Sequence, residues 1–482
     1  MTRNTYRFLT ILLILPLART DATPEVSTPI VDLGYATYAG SFNHTTGYTQ
    51  FLGIRYAAAP TGSLRWKPPQ TPPRAFGIIP AHLEPPTCFF TSQGEQAKMP
   101  FYQTTLSKRD PFFPSEDCLF LNIYTPEDIS KIHKNLPVVV YIHGGGYASG
   151  SASGFTGEDS FNGNDLLRES NNGAVAVVIQ YRLGVFGFLP VLNACLLDQN
   201  FALRWVQKHI SKFGGDPEHV TIWGQSSGAG SVIQHIASTR AAITSSTFLP
   251  SQYKYNDPIP EVCRTEPLFV QTNCSLAHDS LDCLREVDVN ALENINNIVA
   301  GSGFFGTFLF APVVDGTFIT QRPLKALEEK RVNGVDRISE IILSVTNTFE
   351  GALFVDPSTS SRTQIPTYIA QLFPTLGSSD IKKASTYYEN IGSPTDQAIA
   401  IMGEAIFICP TYSLLRAFEG KSFKGGFSIP PGGHGSDVPY CYPSQNPNGV
   451  PPYNNTAFVK AFARSFLDFA MAHTPNQKSE PL

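Results

Sequence analysis

A serine in a glycine-rich turn carries the strongest sign of nucleophilic chemistry in this sequence. Ser226 lies in the segment W-G-Q-S-S-G at 223–228, directly after the apolar run His219–Ile222. Glycines on both sides of such a serine allow a sharp turn from strand to helix, which exposes the hydroxyl above the sheet edge. Because the motif also occurs by chance, it predicts a nucleophile only if a base, an acid and oxyanion donors are found elsewhere.

A histidine that follows the serine is needed to remove the hydroxyl proton, and an acid is needed to orient that histidine. His434 lies in the loop P-G-G-H-G-S-D at 431–437, where flanking glycines allow the ring to reach across to the serine. The other downstream histidines are weaker candidates, because one follows Ser226 too closely and two lie within or beside predicted helices: His235, His278 and His473.

Two carboxylates compete for the role of the acid. Glu350 comes shortly after the predicted strand 341–345, and open sheets of parallel strands place functional groups beyond the carboxyl ends of their strands. Asp315 lies in P-V-V-D-G at 312–316, where an Asp-Gly pair reads more simply as a turn. The residues favour Glu350 but leave Asp315 open.

Three consecutive glycines follow the predicted strand Val138–Ile142 in the sequence H-G-G-G at 143–146. Such a segment allows backbone N–H groups to converge on one point. We expect Gly145 and Gly146, together with Ser227 after the nucleophile, to donate to the oxyanion of a tetrahedral intermediate.

The elements that must position these residues alternate between apolar strands and amphipathic helices, which favours a mainly parallel sheet covered by helices on both faces. The predicted strands are 137–142, 174–181, 220–223, 241–245, 338–345 and 426–429, and the predicted helices are 197–212, 228–237, 323–331, 395–407 and 456–473. In the last helix, four phenylalanines at helical spacing predict core packing: Phe458, Phe462, Phe466 and Phe469.

Composition narrows the class of protein. A net charge of −5 over 482 residues, without a run of Lys or Arg, argues against nucleic-acid binding. The eight cysteines include no C-x-x-C pair, so we expect no metal and no cofactor.

The N-terminus predicts secretion. Two early arginines precede a short apolar run, Phe8–Ala18, which is typical of a signal peptide covering about residues 1–20. The run is too short for a membrane span, and no later segment is long enough for one. Secretion makes disulfides plausible, and three sequons are compatible with glycosylation at Asn43, Asn273 and Asn454.

Taken together, these motifs resemble the type-B carboxylesterase and lipase family, which also contains cholinesterases. Further signatures are F-L-G-I-R-Y-A at 51–57 and S-E-D-C-L-F-L-N-I-Y at 115–124, and the likeness is closest to secreted fungal members. The resemblance implies a single α/β-hydrolase domain over residues 21–482. It also implies Ser226, Glu350 and His434 as the catalytic triad, and so decides against Asp315.

The same resemblance implies two disulfides, Cys88–Cys118 and Cys274–Cys283, and an ion pair between Arg65 and Glu116. It leaves four cysteines unassigned: Cys195, Cys263, Cys409 and Cys441. The sequence departs from the family at Gln225, usually glutamate, at Ser227, usually alanine, and at Cys195 and Cys441. It is also short around 189–192, between Ala237 and Arg240, and at the C-terminus.

The Cys88–Cys118 loop bears on the substrate. It contains six aromatic residues, Phe89, Phe90, Phe101, Tyr102, Phe112 and Phe113. The resemblance to lipases implies a lid, a small-molecule or lipid ester and transient contact with a lipid interface, although the rings could equally anchor the loop on the core. The loop lacks the tryptophan that would bind choline by cation–π contact. We therefore expect a secreted carboxylic ester hydrolase acting through an acyl-enzyme; the alternatives are a non-catalytic binding domain and an inactive truncated homologue.

Overall fold

The computed structural model describes residues 28–97, 114–127, 135–154, 161–189, 193–236, 240–258, 266–331, 341–356, 363–446 and 451–476. The predicted signal peptide lies outside these ranges. So do Cys263, the aromatic residues from Phe101 to Phe113, and the centres of two shortened segments, 190–192 and 237–239.

A nine-stranded sheet in the order β12-β11-β10-β9-β7-β8-β6-β4-β3 carries the site, beside a small sheet in the order β1-β2-β5. The strands are β1 Ile30–Asp32, β2 Thr37–Ala39, β3 Ser41–Asn43, β4 Tyr48–Arg55, β5 Ile78–Pro80, β6 Phe120–Pro126, β7 Leu136–Ile142, β8 Val175–Ile179, β9 Gly215–Gln225, β10 Ala241–Ser245, β11 Ile341–Asn347 and β12 Ser422–Phe427. The six strands β8, β7, β9, β10, β11 and β12 are neighbours in that order, and all their pairings are parallel. Beyond β8, the sheet continues through β6, β4 and β3 with antiparallel pairing. The predicted mainly parallel sheet is confirmed.

Helices cover both faces of this sheet. They are α1 Gly163–Glu169, α2 Gly184–Gly187, α3 Ala194–His209, α4 Ser227–His235, α5 Glu266–Gln271, α6 Ser280–Glu286, α7 Val289–Gly301, α8 Pro323–Glu328, α9 Ile365–Leu372, α10 Ser378–Tyr388, α11 Pro394–Gly403, α12 Cys409–Ala417, α13 Val438–Cys441 and α14 Thr456–Ala472. Alternate residues of β7 enter two separate cores: Val138 and Val140 lie in one, and Val139 and Tyr141 in the other. Burial on both faces explains why this strand is continuously apolar.

The predicted boundaries differ from the structure mainly at element ends. Strand β12 begins at Ser422 rather than Gly426, because its pairing with β11 already starts at the Ile342–Ser422 register. The helix predicted at 395–407 continues past its expected end through a π-helical turn, Glu404–Ile408, into α12. Pro410 lies two residues after this turn, in the first turn of α12. Because proline has no N–H to donate, the regular hydrogen-bond pattern is interrupted there, and the π-helical turn directly precedes the interruption.

This continuous helix, Pro394–Ala417, is the one candidate for a membrane span by length and composition within the described ranges. Half of its most apolar window is buried inside the fold. Because a core helix passes the same test of length and apolarity, we read it as part of the core.

The predicted aromatic stripe of the last helix is confirmed as core packing. In α14, Phe466 and Phe469 are almost fully buried, while Phe458 and Phe462 are partly buried and pack against the same core. Phe466 stacks on Trp223 of β9 with ring centroids 4.8 Å apart. The helix therefore supports the strand that leads directly into Ser226.

Covalent and ionic links fix the outer segments to the sheet. The implied disulfides Cys88–Cys118 and Cys274–Cys283 are both present, and Arg65 Nε lies 2.6 Å from Glu116 Oε1. A second ion pair, Arg182–Asp198, is completely buried, with 2.7 Å between Arg182 Nη2 and Asp198 Oδ1. Cys195, Cys409 and Cys441 are free thiols.

Candidate active site

Ser226 lies on a strained turn between β9 and α4. Its φ of +55° and ψ of −123° are unfavourable for any residue with a side chain, so surrounding contacts must hold it. Its N–H donates to Ser245 O of β10 at 2.8 Å, and its carbonyl accepts from Gly230 N of α4 at 3.0 Å. These two bonds fix the turn from both sides.

The two glycines of the motif are required by close packing. A Cβ added to Gly224 would lie 2.2 Å from Gly228 O, and one added to Gly228 would lie 2.0 Å from Ile142 O. The second contact brings the start of α4 directly against the end of β7. Glycine at both positions therefore sets the separation between the turn and the triple-glycine segment.

The triple-glycine segment adopts backbone angles that glycine tolerates best. Gly145 and Gly146 have φ values of +105° and +65°. A turn in which Ala148 and Ser149 N–H donate to Gly145 O holds the segment, at 3.0 and 2.9 Å. Ser227 begins α4, so its N–H is one of the free donors at a helix N-terminus. Gly145 and Gly146 line the same cavity as Ser226, and Ser227 directly follows it in the chain.

His434 and Glu350 form a direct hydrogen bond. Nδ1 of His434 lies 2.6 Å from Oε2 of Glu350, and both side chains are buried. The other carboxylate oxygen accepts from Asn347 N–H at 2.7 Å. A carboxylate held by two donors in this way fixes the orientation of the imidazole ring.

The opposite nitrogen of the ring meets the residue that precedes the serine. Nε2 of His434 lies 3.2 Å from Nε2 of Gln225. The ring is packed between Phe407 and Phe354, with centroid distances of 4.4 and 5.1 Å. Because Phe407 belongs to the π-helical turn, that irregularity lies against the candidate base.

A second buried carboxylate belongs to the same network. Asp437 is 1% exposed and accepts from Asn347 Nδ2 at 2.9 Å. Burial raises the pKa of Asp437, and the nearby charge of Glu350 adds to that increase, although the bond from Asn347 opposes it. Burial therefore disfavours a negative charge on Asp437 in this network.

His143, the first residue of the triple-glycine motif, is fully buried beside the candidate oxyanion donors. It stacks on Tyr181 with a centroid distance of 4.3 Å, and its Nδ1 lies 2.9 Å from Gly144 O. Burial lowers the pKa of His143 to about 4, so the ring is neutral at physiological pH. The uncharged ring therefore packs against the triple-glycine segment and adds no charge to the site.

A cavity of about 530 Å³ joins these groups. Ser226, His434, Gly145 and Gly146 all line it, together with apolar side chains that include Phe161 and Phe308. A smaller cavity of about 100 Å³ also has Phe308 in its wall and is lined mostly by apolar residues. Within the described ranges, no cluster of three or more His, Cys, Asp or Glu side chains is arranged to hold a metal.

The rival residues lie elsewhere in the fold. Asp315 accepts backbone N–H groups from Thr317, Phe318 and Ile319 with one oxygen and the Asn193 amide with the other, as expected of a turn. His235 is buried in α4 against Gln199. His473 lies at the end of α14 beside His219, and His278 is exposed.

Sequence reasoning missed three polar residues of the site: Gln225, Asn347 and Asp437. Gln225 was noted only as a departure from the family. Asn347 lies three residues before Glu350, and Asp437 lies three residues after His434. This spacing is compatible with contact but does not predict it. The Phe89 and Phe90 rings of the predicted lid pack against the core.

Several known proteins are similar to this chain in sequence or in structure. The model of the carboxylesterase family matches residues 27–481. Carboxylesterase patB of Aspergillus clavatus is 31% identical over 98% of this chain and 92% of its own length. Liver carboxylesterase 1 of Oryctolagus cuniculus is 33% identical over 63% of this chain and 56% of its own length. The crystal structure of Aspergillus niger EstA has a TM-score of 0.78 and 28% identity, covering 94% of this chain and 91% of that one.

Proposed function

The chain belongs to the carboxylesterase family, which supports carboxylic ester hydrolysis, and we propose that it cleaves esters through an acyl-enzyme formed on Ser226. The observation that carries the proposal is the 2.6 Å bond between His434 and Glu350 at a cavity that Ser226 also lines. The chemistry follows from what each of these residues can donate or accept.

In acylation, Ser226 Oγ attacks the ester carbonyl carbon while its proton passes to His434 Nε2. Glu350 accepts from Nδ1 and stabilises the imidazolium ring that results. The carbonyl oxygen becomes an oxyanion, to which Gly145, Gly146 and Ser227 donate backbone N–H bonds. Each such donor contributes about 3–4 kcal/mol to the transition state. The carbon–alkoxy bond then breaks, and the alcohol leaves with the proton from Nε2.

Deacylation uses the same groups in the same order. His434 accepts a proton from water, the resulting hydroxide equivalent attacks the acyl carbon, and the bond to Ser226 Oγ breaks. The proton then returns from Nε2 to the serine. Since both halves need a neutral imidazole, the rate should fall in acid as His434 becomes protonated.

The surroundings of the cavity favour an ester with an apolar acyl or alcohol group. Phe161, Phe308 and Phe354 line the cavity, and Leu353 at its edge is 61% exposed. Phe349, which precedes Glu350 in the chain, is 54% exposed. Exposed apolar side chains next to a cavity suit a small-molecule or lipid ester and transient contact with a lipid interface.

The protein would act outside the cell. Two disulfides are typical of an oxidising compartment, and the three sequon asparagines that we expect to be glycosylated are exposed: Asn43, Asn273 and Asn454. The apolar run Phe8–Ala18 would serve as the signal. N-terminal sequencing of protein recovered from culture medium should show cleavage after about residue 20; recovery of an intact Met1 terminus would contradict secretion by this route.

The decisive test of catalysis compares the purified protein with two serine variants on p-nitrophenyl esters of increasing chain length. Ser226→Ala should abolish turnover, whereas Ser92→Ala, which alters another serine of the same cavity, should retain it. Equal rates for Ser226→Ala and the parent would exclude the proposal and favour a non-catalytic binding domain. The profile of rate against chain length separates an esterase from a lipase.

A further inference from the structure

The side chain of Gln225 contacts the atom of His434 that the reaction requires. Gln225 is the last residue of β9 and is 5% exposed. Its amide nitrogen lies 3.2 Å from His434 Nε2, and its amide oxygen packs against Gly144 so closely that a Cβ there would lie 2.4 Å away. The amide is thus held between the triple-glycine segment and the histidine.

The hydrogen-bond partners of the ring decide which nitrogen carries the proton. The Glu350 carboxylate can only accept, so Nδ1 must be the protonated nitrogen of the neutral ring. Nε2 then carries the lone pair, and an amide nitrogen is a suitable donor to it. The contact with Gln225 is therefore compatible with neutral His434 and unfavourable for the imidazolium form, whose Nε2–H would meet another donor.

We propose that Gln225 is a positioning residue whose uncharged amide holds His434 in its neutral, Nδ1-protonated form while Ser226 is idle, and so extends ester hydrolysis to lower pH. This inference rests on the proposed function. During acylation the serine hydroxyl replaces the amide as the hydrogen-bond partner of Nε2. A carboxylate at the same position could only accept, and would favour imidazolium throughout.

The charged groups around His434 lie on the Nδ1 side of the ring, whereas Gln225 on the Nε2 side is uncharged. Glu350 faces Nδ1, and Asp437 lies in the adjoining loop with a pKa raised by burial. Burial lowers the pKa of Lys424 on β12, and the charge of Glu350 opposes that decrease. His143 beyond Gly144 is neutral, because burial lowers its pKa to about 4. The turn Glu350–Phe354 supplies both the Glu350 carboxylate and the Phe354 ring, and the π-helical turn supplies the Phe407 ring against the histidine.

The test is the pH dependence of kcat/KM for the parent and two variants of nearly equal side-chain size. In Gln225→Glu, a carboxylate against Nε2 should move the acid limb to higher pH by at least about one unit. In Gln225→Met, only a neutral donor is lost, so the limb should move in the same direction by about half a unit. Circular dichroism at each pH should confirm that the proteins remain folded over the range used.

The outcomes separate this inference from the function on which it rests. An inactive parent protein would overturn the proposed function itself. An active parent whose acid limb is unchanged in Gln225→Glu, or moves equally in both variants, would overturn the role of the uncharged amide. If Gln225→Glu does not fold, Gln225→Met alone decides, since an unchanged limb in that variant would contradict the donor contact.

Discussion

Replacing Glu350 by glutamine should remove most of the activity while leaving the fold intact, because one amide cannot satisfy two donors. The carboxylate accepts from His434 Nδ1 at 2.6 Å and from Asn347 N–H at 2.7 Å. In the variant, the amide oxygen can accept only one of these bonds, and the NH₂ group must face the other donor.

The two amide orientations have different costs. If the oxygen faces Asn347, His434 must accept at Nδ1, which places its proton on Nε2 and removes the base. If the oxygen faces His434, the buried Asn347 N–H loses its acceptor at a cost of about 1–3 kcal/mol. That difference leaves the productive orientation roughly 5- to 150-fold less populated. Loss of the charge that stabilises imidazolium adds to this, and amide substitution of the acid in a Ser-His-Asp protease lowers kcat about 10⁴-fold.

We therefore expect Glu350→Gln to lower kcat about 10³-fold or more with little change in KM. The assay is steady-state hydrolysis of a p-nitrophenyl ester, with the unfolding midpoint as the check of folding. The matched control is Asp315→Asn, which changes the rival acid and should lower stability without lowering kcat, since the Asp315 carboxylate accepts hydrogen bonds from its own turn and from Asn193. A Glu350→Gln protein that keeps a tenth of the parent kcat, or an Asp315→Asn protein that falls as far, would refute the reasoning.

Substitutions at three other buried positions test the close packing of the turn, a buried ion pair and a buried histidine. Gly228→Ala would place its Cβ 2.0 Å from the Ile142 carbonyl oxygen of β7. The turn must then shift by about 1 Å, and kcat/KM should fall about 10²-fold. The control Gly426→Ala, whose Cβ would meet no neighbour within 4 Å, should leave kcat/KM unchanged. Arg182→Met would leave the buried Asp198 carboxylate without its ion-pair partner and should lower the free energy of unfolding by about 3–5 kcal/mol in urea titrations. Arg240→Met, which removes an exposed pair with Glu218, should lower it by less than about 1 kcal/mol. The pKa of His143 is about 4 in the folded state, below its ordinary 6.5, so the unfolded chain binds this proton first and His143 makes the free energy of unfolding decline as pH falls from 6.5 towards 4, by up to about 1.4 kcal/mol per unit. His143→Phe should reduce the measured slope by that amount, while His209 and His235, whose pKa values burial also lowers, continue to contribute. An unchanged slope would contradict a buried, neutral His143.

The fold could be predicted from sequence where its pattern is continuous and buried. The apolar run of β7 and the four phenylalanines of α14 show their burial directly, and both predictions are confirmed. The antiparallel strands β4 and β6 were not predicted, because their residues were recognised only as motifs. Element ends depended on pairing partners and on the π-helical turn at 404–408, neither of which leaves a local pattern.

The candidate site shows the same division between what spacing indicates and what contact determines. The positions of Ser226, Glu350 and His434 could be predicted, because each lies in a turn beyond a strand end, where the topology of a parallel sheet collects them. The partners of these residues could not be predicted, since hydrogen bonds between distant segments depend on distances that only the fold sets.

Gln225 shows why this matters for the chemistry. In sequence, it is an isosteric replacement for glutamate and should leave the turn unchanged. In the fold, its amide nitrogen lies 3.2 Å from His434 Nε2, so the replacement exchanges a negative charge for a neutral donor at the candidate base. A substitution that conserves shape is therefore not conservative here, because this position contacts the proposed general base, whose protonation state would control the rate. Conservation of the turn and retuning of the histidine are separate consequences of the same residue, and the pH profile distinguishes them.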